Sequence, residues 1–374
     1  MKMIIRPVIM IAICISILLQ TGCWDQKHFE EIGFILQMGM ELDPEGKMLL
    51  SVTSPVVSPD VKGKSEFLHT SSESLVRSSR ERLRNVAGKI LQGGKIQLVY
   101  FSKDLAQKGI NEFFEIYLRD PENPLLANVV VVDGSPKEML ELSLDYKDKP
   151  RPAFYVNELL LDARRRSNAP EARIFNFSIL SYSKTIDPVT PLVRYDKKNI
   201  EVIGSALFSG DKLVGELNTD QTMLLTTLMG ENEAGEYTYR GSALDGNARI
   251  RKGAILLVKG ANRKIKIDIN QNVPSIDIKL QLKAFLDEYA GAHKLDEKDF
   301  EKSLEQVIAN SIKADTLNLL AYLKAAGADP IGFGEIVRAK HNQYWKSVQW
   351  KEVYKNAVFN VDVSMDIETY GTIK

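Results

Sequence analysis

Cysteine is the residue type whose placement carries the most chemical information in this sequence. The chain has 374 residues and two cysteines, Cys14 and Cys23, so the segment from 24 to 374 contains none. This distribution excludes disulfides, cysteine-ligated zinc, iron–sulfur clusters and thiol nucleophiles from the body of the protein. The chemistry that remains for a cysteine is a modification of Cys23 itself.

The other reactive residue types show no catalytic pattern. The histidines have neither HExxH nor His-x-His spacing and are far apart in the sequence: His28, His69, His293 and His341. Residues 63–65 read Gly-Lys-Ser, as at the end of a phosphate-binding loop, but Ser58 occupies the position of its first glycine. Gly332 and Gly334 lack the third glycine of a dinucleotide site, and we interpret them as a tight turn. We therefore predict that the chain is not an enzyme and holds no metal ion or cofactor.

The N-terminus has the pattern of an export signal. Lys2 and Arg6 precede an apolar stretch from Val8 to Leu19 that only Ser16 interrupts. A helix of this length reaches about 18 Å, well short of the roughly 30 Å hydrocarbon core of a bilayer. The stretch therefore fits a signal peptide better than a membrane span.

Two small residues, Thr21 and Gly22, directly precede Cys23. This pattern resembles the lipobox of bacterial lipoproteins, with Gln20 where such boxes usually carry leucine. The resemblance implies cleavage between Gly22 and Cys23 and a Cys23 that is thioether-linked to diacylglycerol, whose acyl chains are fatty acids such as palmitate. Two acyl chains would anchor a folded body stably on a membrane. An ordinary secretory signal with an incidental cysteine, or an uncleaved anchor, are the alternatives.

The overall charge balance argues against one class of partner. Lysine and arginine number 49 and aspartate and glutamate number 49, giving a formal net charge of zero. Binding to nucleic acid draws its affinity from clustered positive charge, and no long basic run is present. We expect no nucleic-acid partner.

The hydrophobic pattern predicts a mixed α/β or α+β arrangement in the first half of the chain and a β-rich region with a long helix in the second. The expected strands are 34–42, 48–57, 96–101, 127–133, 176–186, 200–208, 213–217, 255–258, 265–269, 276–286 and an antiparallel 358–369. The expected helices are 72–91, 103–117, 135–142, 154–166, 221–229 with Thr219 as its N-cap, and a long helix that includes Phe300 to Leu323. These elements form three sheet-forming regions, with breaks near 170 and 243.

Four segments match a known family in order and spacing. They are Gly22 to Asp25 at the start of the mature chain, Tyr117 to Glu122 before a β-branched strand, Ile203 to Leu217 in the middle hairpin, and Asp329 to Gly334 followed by Tyr344, Trp345, Lys346 and Trp350. Together these segments resemble the Ger(x)C family, the lipoprotein C subunits of spore nutrient germinant receptors. The resemblance extends over essentially the whole mature chain.

The resemblance implies an architecture and a cellular setting. It implies three α+β domains, each with a mainly antiparallel or mixed sheet flanked by helices, at 23–170, 171–243 and 244–374, behind a cleaved signal peptide at 1–22. It also implies a non-catalytic, lipid-anchored subunit on the extracytoplasmic face of the spore inner membrane, with membrane-embedded A and B receptor subunits as partners. Such a subunit would serve receptor assembly or signal relay during germination. A solute-binding lipoprotein of a membrane transporter is the alternative.

Six residues in these segments are candidates for interaction or for structure. Trp24 beside Cys23 suits either the lipid headgroup level or burial in a linker, and Asp25 follows it. Arg119 and Asp120 are expected at a helix end and turn with a local ion pair, or in a partner contact. Trp345 and Trp350 are expected to pack against the last sheet, since their spacing does not place them on one face of a helix.

Overall fold

The structure, a computed structural model, describes residues 31–55, 66–73, 76–231, 234–240, 253–290 and 298–370. Helices flank two mixed sheets, beside a short parallel sheet of two strands, which confirms the α+β prediction. The strands are β1 (Ile32–Phe34), β2 (Gln37–Leu42), β3 (Met48–Pro55), β4 (Glu66–Glu73), β5 (Ile90–Gln92), β6 (Leu98–Ser102), β7 (Asn128–Val132), β8 (Val189–Tyr195), β9 (Ile200–Ser209), β10 (Lys212–Asn218), β11 (Gly235–Tyr239), β12 (Gly253–Asn270), β13 (Val273–Ala290) and β14 (Val358–Tyr370).

The helices connect and cover these strands. They are α1 (Val76–Ala87), α2 (Lys103–Lys108), α3 (Asn111–Leu118), α4 (Pro136–Ser143), α5 (Pro152–Arg165), α6 (Ile174–Ser181), α7 (Thr219–Met229), α8 (Lys298–Ala326), α9 (Phe333–Lys340), α10 (Asn342–Ser347) and α11 (Trp350–Tyr354). No helix in the described ranges is long and apolar enough to cross a membrane.

The first sheet has eight strands in the order β10-β9-β8-β7-β6-β2-β3-β4. Its central strands β2, β6, β7 and β8 run parallel, and its outer strands pair antiparallel. Strands β6 and β7 are almost wholly buried, as expected for parallel strands covered on both faces. Helices α1, α2, α3 and α6 pack on one face, and α4 and α5 pack on the other.

The second sheet has four strands in the order β11-β12-β13-β14, and the long helix α8 packs on it. Its hydrophobic core also includes Val189, Leu207 and Leu217 from the first sheet. The core of the second sheet therefore extends onto strands of the first sheet, which has two further apolar clusters on its own faces. Strands on both sides of residue 170 belong to the first sheet, and the predicted boundaries at 170 and 243 stay predictions.

Several predicted elements differ from the structure. The segment 176–186, predicted as a strand, is largely helix α6: apolar side chains on both its inner and outer faces hide the helical period. The predicted helix 72–91 is present as α1 but is shorter at both ends, where β4 extends to Glu73 and β5 begins at Ile90; β4 is largely polar and so lacks a clear strand pattern.

Two further differences concern how elements end and pair. The predicted helix 103–117 is two helices, because Gly109 adopts φ of 112° and the Asp211 carboxylate accepts a hydrogen bond from the Asn111 N–H at 3.1 Å. Strand β14 pairs parallel to β13, not antiparallel, since helices α8 to α11 carry the chain back to the starting end of β13. The N-cap of α7 is Asn218, one residue before the predicted Thr219.

The hairpin β9–β10 and the long helix α8 confirm their predictions closely. Both contain uninterrupted apolar patterns, and a glycine follows the strand β9 and the helix α8 where each ends. Gly210 at the hairpin turn and Gly327 after α8 both have positive φ values, 64° and 68°, which glycine adopts without steric cost.

Candidate functional site

The predicted lipidation site lies outside the described residues. Gly22, Cys23, Trp24 and Asp25 precede Glu31, the first residue described. Cleavage before Cys23, acylation of Cys23 and the roles of Trp24 and Asp25 therefore stay predictions.

Arg119 and Asp120 lie at the end of α3, where the chain turns. Arg119 is the C-cap residue, and its guanidinium lies 4.0 Å from the Glu115 carboxylate one helical turn earlier. Asp120 accepts a hydrogen bond from the backbone N–H of Glu122 at 3.1 Å through its side chain. The pair thus occupies a helix end and turn, and both Arg119 and Glu115 are exposed, so their ion pair contributes little stability.

Trp345 and Trp350 lie on adjacent short helices, α10 and α11, with ring centroids 6.3 Å apart. Trp350 is buried in the core of the second sheet, and its ring stacks obliquely on Tyr354 at 5.5 Å. Trp345 is half-buried against the same core. Trp350 also makes a polar contact that the sequence pattern did not suggest.

The indole N–H of Trp350 donates a hydrogen bond to the carboxylate of Asp329 at 2.9 Å. Asp329 lies in the turn between α8 and α9, and three backbone N–H groups at the start of α9 also donate to it. They belong to Gly332 (2.9 Å), Phe333 (3.0 Å) and Gly334 (2.8 Å). The buried carboxylate therefore caps α9 and fixes Trp350 on it.

Gly334 is required where it stands, because a Cβ there would lie 2.7 Å from the Trp350 Nε1 and 2.8 Å from the Thr185 carbonyl oxygen. The tight turn predicted at Gly332 and Gly334 is present, with Gly332 in the left-handed region at φ of 80°. This turn directs three backbone N–H groups toward the Asp329 carboxylate.

A second buried carboxylate, Asp187, meets Asp329 from the first sheet. The Asp187 N–H donates to the Asp329 carbonyl at 3.0 Å, and the Asp329 N–H donates to Asp187 Oδ2 at 2.9 Å. Each aspartate directly precedes a proline, Pro188 or Pro330, which has no N–H of its own and disfavours helix at the residue before it. Two Asp-Pro turns from opposite halves of the chain thus bind one another reciprocally.

Lys351 completes this arrangement. Its ammonium lies 3.1 Å from Asp187 Oδ1 and 2.7 Å from the hydroxyl of Ser209, and that hydroxyl donates to the Gly327 carbonyl at 3.1 Å. The backbone N–H of Gly210 also donates to Asp187 at 2.8 Å. We call the set Asp187, Ser209, Asp329, Trp350 and Lys351 the carboxylate junction.

The electrostatics of the junction follow from two buried carboxylates beside one partly exposed ammonium. Burial raises the pKa of Asp329 to about 6; the N–H donors of Gly334, Phe333 and Trp350 oppose the rise, and the neighbouring Asp187 adds to it. Burial and the same two carboxylates raise the pKa of the Tyr354 hydroxyl well above its usual value.

The pKa of Asp329 predicts a pH dependence of stability. Its ordinary value is 3.8, so between about pH 4 and pH 6 the folded chain holds a proton that the unfolded chain releases. The contribution of Asp329 to the free energy of unfolding therefore falls as the pH rises through this window and is level above it. Urea unfolding followed by tryptophan fluorescence across this range, in wild type and Asp329→Asn, measures the difference. An unchanged pH slope in the variant would contradict the assignment.

The chemistry of the junction is that of a structural joint. Both carboxylates accept hydrogen bonds from groups of the protein itself, and Lys351 is engaged by Asp187 and Ser209. Among the residues described, no group of three or more histidine, cysteine, aspartate and glutamate side chains is placed to hold a metal ion. The junction therefore fixes β8 and β9 of the first sheet against α9 and α11 of the second half.

Sequence reasoning missed Asp187 and Lys351 and assigned no role to the side chain of Asp329. The available signal was the pair of Asp-Pro dipeptides at 187–188 and 329–330, each beside a predicted strand or turn. The pairing of the two aspartates, which are 142 residues apart, follows only from the fold.

Comparisons with known proteins match both halves of the chain. The family profile described as a spore germination protein N-terminal domain matches residues 25–195, and the profile described as spore germination B3/GerAC like, C-terminal, matches residues 203–371. Spore germination protein GerQC of Bacillus cereus is 24% identical over 355 residues, covering 94% of this chain and 95% of that protein. Spore germination protein B3 of Bacillus subtilis is 23% identical over 380 residues, covering 94% and 95%.

A solved structure shares the fold. The crystal structure of the GerBC protein superimposes with a TM-score of 0.59 and 17% sequence identity, covering 89% of this chain and 97% of that one. The fold therefore places the chain in a class of α+β proteins with helix-flanked mixed sheets. The two profile matches show that the chain belongs to the Ger(x)C family of spore germination proteins.

Proposed function

We propose that this chain is the lipid-anchored C subunit of a spore nutrient germinant receptor. The observation that carries the proposal is the match of the two spore germination profiles to residues 25–195 and 203–371, which leaves little of the chain unassigned. The lipobox-like sequence before Cys23 supports an anchor on the extracytoplasmic face of the spore inner membrane. The subunit works without catalysis, beside membrane-embedded A and B subunits.

The carboxylate junction suits a role in assembly or signal relay. A subunit that holds receptor partners in register, or passes on a displacement, needs a fixed relation between its parts. The shared apolar core and the reciprocal bonds of Asp187 and Asp329 supply such a relation. The solute-binding alternative is not favoured, since the described sheets differ in strand number and order and do not form two similar lobes.

Germination assays test the proposal directly. In spores of a strain whose other Ger(x)C genes are deleted, removal of this gene is expected to abolish nutrient-triggered dipicolinate release. A nutrient-independent germinant should still act on the same spores. An undiminished nutrient response would refute the receptor role.

Cys23→Ala tests the anchor separately. We expect the variant protein to be lost from the spore membrane fraction and the nutrient response to fall, because a polypeptide without acyl chains is not stably anchored in the bilayer. Cys14→Ala is the matched control, since Cys14 lies in the predicted signal peptide and should be dispensable. Equal membrane retention of Cys23→Ala and Cys14→Ala would contradict lipidation at Cys23.

A further inference from the structure

An apolar surface is exposed on one side of the first sheet. Helix α6 presents Phe175, Ile179 and Tyr182 along its outer face, three and four residues apart. Beside this helix lie Leu118 at the end of α3 and the pair Leu125 and Leu126 in the following loop. Leu126 is 72% exposed and Ile179 is 54% exposed, large fractions for apolar side chains. We call these six residues the apolar face.

Hydrogen bonds and ring contacts hold the apolar face together. The Phe175 N–H donates to the Leu125 carbonyl at 3.0 Å, and the Tyr182 hydroxyl donates to Glu115 on α3 at 3.1 Å. Beneath them, the rings of Phe114 and Phe177 pack α3 against α6 with centroids 5.0 Å apart. The exposed side chains thus belong to one preformed surface.

The chain reaches this surface from its N-terminal side. Strand β1 begins at Ile32 and pairs in parallel with β5, whose last residue, Gln92, lies opposite Phe34. The next residues, Gly93 and Gly94, pack against Asn123 and Glu122 in the loop that carries Leu125 and Leu126. The Phe34 end of β1 therefore lies beside this loop, whereas Ile32, where the chain enters the strand, lies opposite Ile90 at the other end of β1.

The length of chain before β1 limits where an anchor can be. Cys23 lies eight residues before Glu31, a span of about 28 Å when fully extended. Strand β1 has three residues and adds about 10 Å between the tether and the loop. An acylated Cys23 would therefore keep the loop 118–126 within reach of the bilayer surface. Apolar side chains at this distance can enter the boundary between headgroups and acyl chains.

The charges around the apolar face indicate which lipids it would accept. The segments that carry it include the basic residues Arg119, Arg173 and Lys184, and they also include acidic ones: Glu112, Glu115, Asp120, Glu122 and Glu171. Without an excess of positive charge, the surface gains nothing from anionic lipid, and apolar contact is the driving force. The apolar face is therefore expected to bind a zwitterionic bilayer without anionic lipid.

We propose that the apolar face rests on the surface of the lipid bilayer when Cys23 is acylated. The inference rests on the proposed lipid anchor and adds an orientation to it. Helix α6 lies along the membrane plane with Phe175 and Ile179 in the interface, and Leu125 and Leu126 enter beside it. The opposite face of the first sheet, covered by α4 and α5, points away from the bilayer.

A fluorescent probe on the apolar face tests the orientation. The mature chain has no cysteine besides Cys23, whose sulfur the proposed thioether blocks, so an introduced cysteine can be labelled alone. Phe175→Cys on α6 and Phe154→Cys on α5 form a matched pair: the two phenylalanines are 47% and 49% exposed and lie on helices that pack on opposite faces of one sheet. Each lipidated variant carries an environment-sensitive dye and is reconstituted into phosphatidylcholine vesicles.

We expect a blue shift of the dye at position 175, and severalfold stronger quenching by spin-labelled phosphatidylcholine than at position 154. Equal quenching at both positions on vesicles that float with the protein would overturn the proposal. A dye at 175 that stays exposed on these vesicles but becomes shielded when spore membrane proteins are added would also overturn it and assign the surface to a protein partner. Protein that does not float with the vesicles would refute the anchor itself, which separates the two failures.

Discussion

Replacing Asp329 with asparagine is expected to lower the free energy of unfolding by about 3 kcal/mol, because one side of the carboxylate would become an amide that faces two N–H donors. Each carboxylate oxygen of Asp329 accepts two hydrogen bonds. Oδ1 accepts from the backbone N–H groups of Gly332 and Phe333. Oδ2 accepts from the Gly334 N–H and the Trp350 indole N–H. The amide cannot satisfy both pairs, so two buried donors lose their acceptor. The loss of a buried charge near Asp187 offsets part of this cost.

Urea unfolding of Asp329→Asn measures the effect, with Asp362→Asn as the control. Asp362 lies on the exposed face of β14, and its substitution should leave the midpoint almost unchanged. Trp345 and Trp350 lie at or beside the junction, so intrinsic fluorescence reports its state directly. If both variants unfold at the wild-type midpoint, the junction contributes no stability.

Alanine at Gly204 is expected to cost about 4 kcal/mol or more, enough to prevent accumulation of folded protein. Gly204 has φ of 138°, and an added Cβ would lie 1.9 Å from the Leu217 carbonyl oxygen in the neighbouring strand. The contact is with backbone, and β9 is held between β8 and β10, so neither strand can move away. The expected result is loss of soluble protein or a large fall in melting temperature.

Gly260→Ala is the matched control for this substitution. Gly260 also lies in a strand, β12, but its Cβ would meet no atom closer than 3.9 Å. We expect a change in stability of about 1 kcal/mol or less, of either sign. Circular dichroism melting of both variants checks the comparison, and a Gly204→Ala protein as stable as Gly260→Ala would show that the β9–β10 packing is wrong.

The local hydrophobic pattern was sufficient to predict the elements that are apolar on one side only. Hairpin β9–β10 and helix α8 followed from periodicity and from the glycines that end them, because each buries one side against a core. Helix α6 was mistaken for a strand because Ile179 and Tyr182 add apolar residues to the face that a surface helix normally leaves polar. These two residues belong to the apolar face.

The candidate site was harder to predict than the elements around it. Trp350 was expected to pack on the last sheet, and it does, but its partner Asp329 is recognisable only once the turn at Gly332 to Gly334 is folded. Asp187 and Lys351 come from segments 164 residues apart, and no periodicity links them. Long-range polar pairs of this kind depend on topology, which single-sequence patterns do not encode.

The parallel pairing of β14 also governs the order in which the protein can fold. Val358 pairs opposite Ser275, so the 18-residue strand β13 is synthesised well before its partner β14. Until then one edge of β13 is an open row of unpaired backbone groups, a template for pairing with another chain. Nascent molecules are therefore most exposed to aggregation after β13 and before β14 has been synthesised, and a truncation before residue 358 would make that vulnerable intermediate permanent.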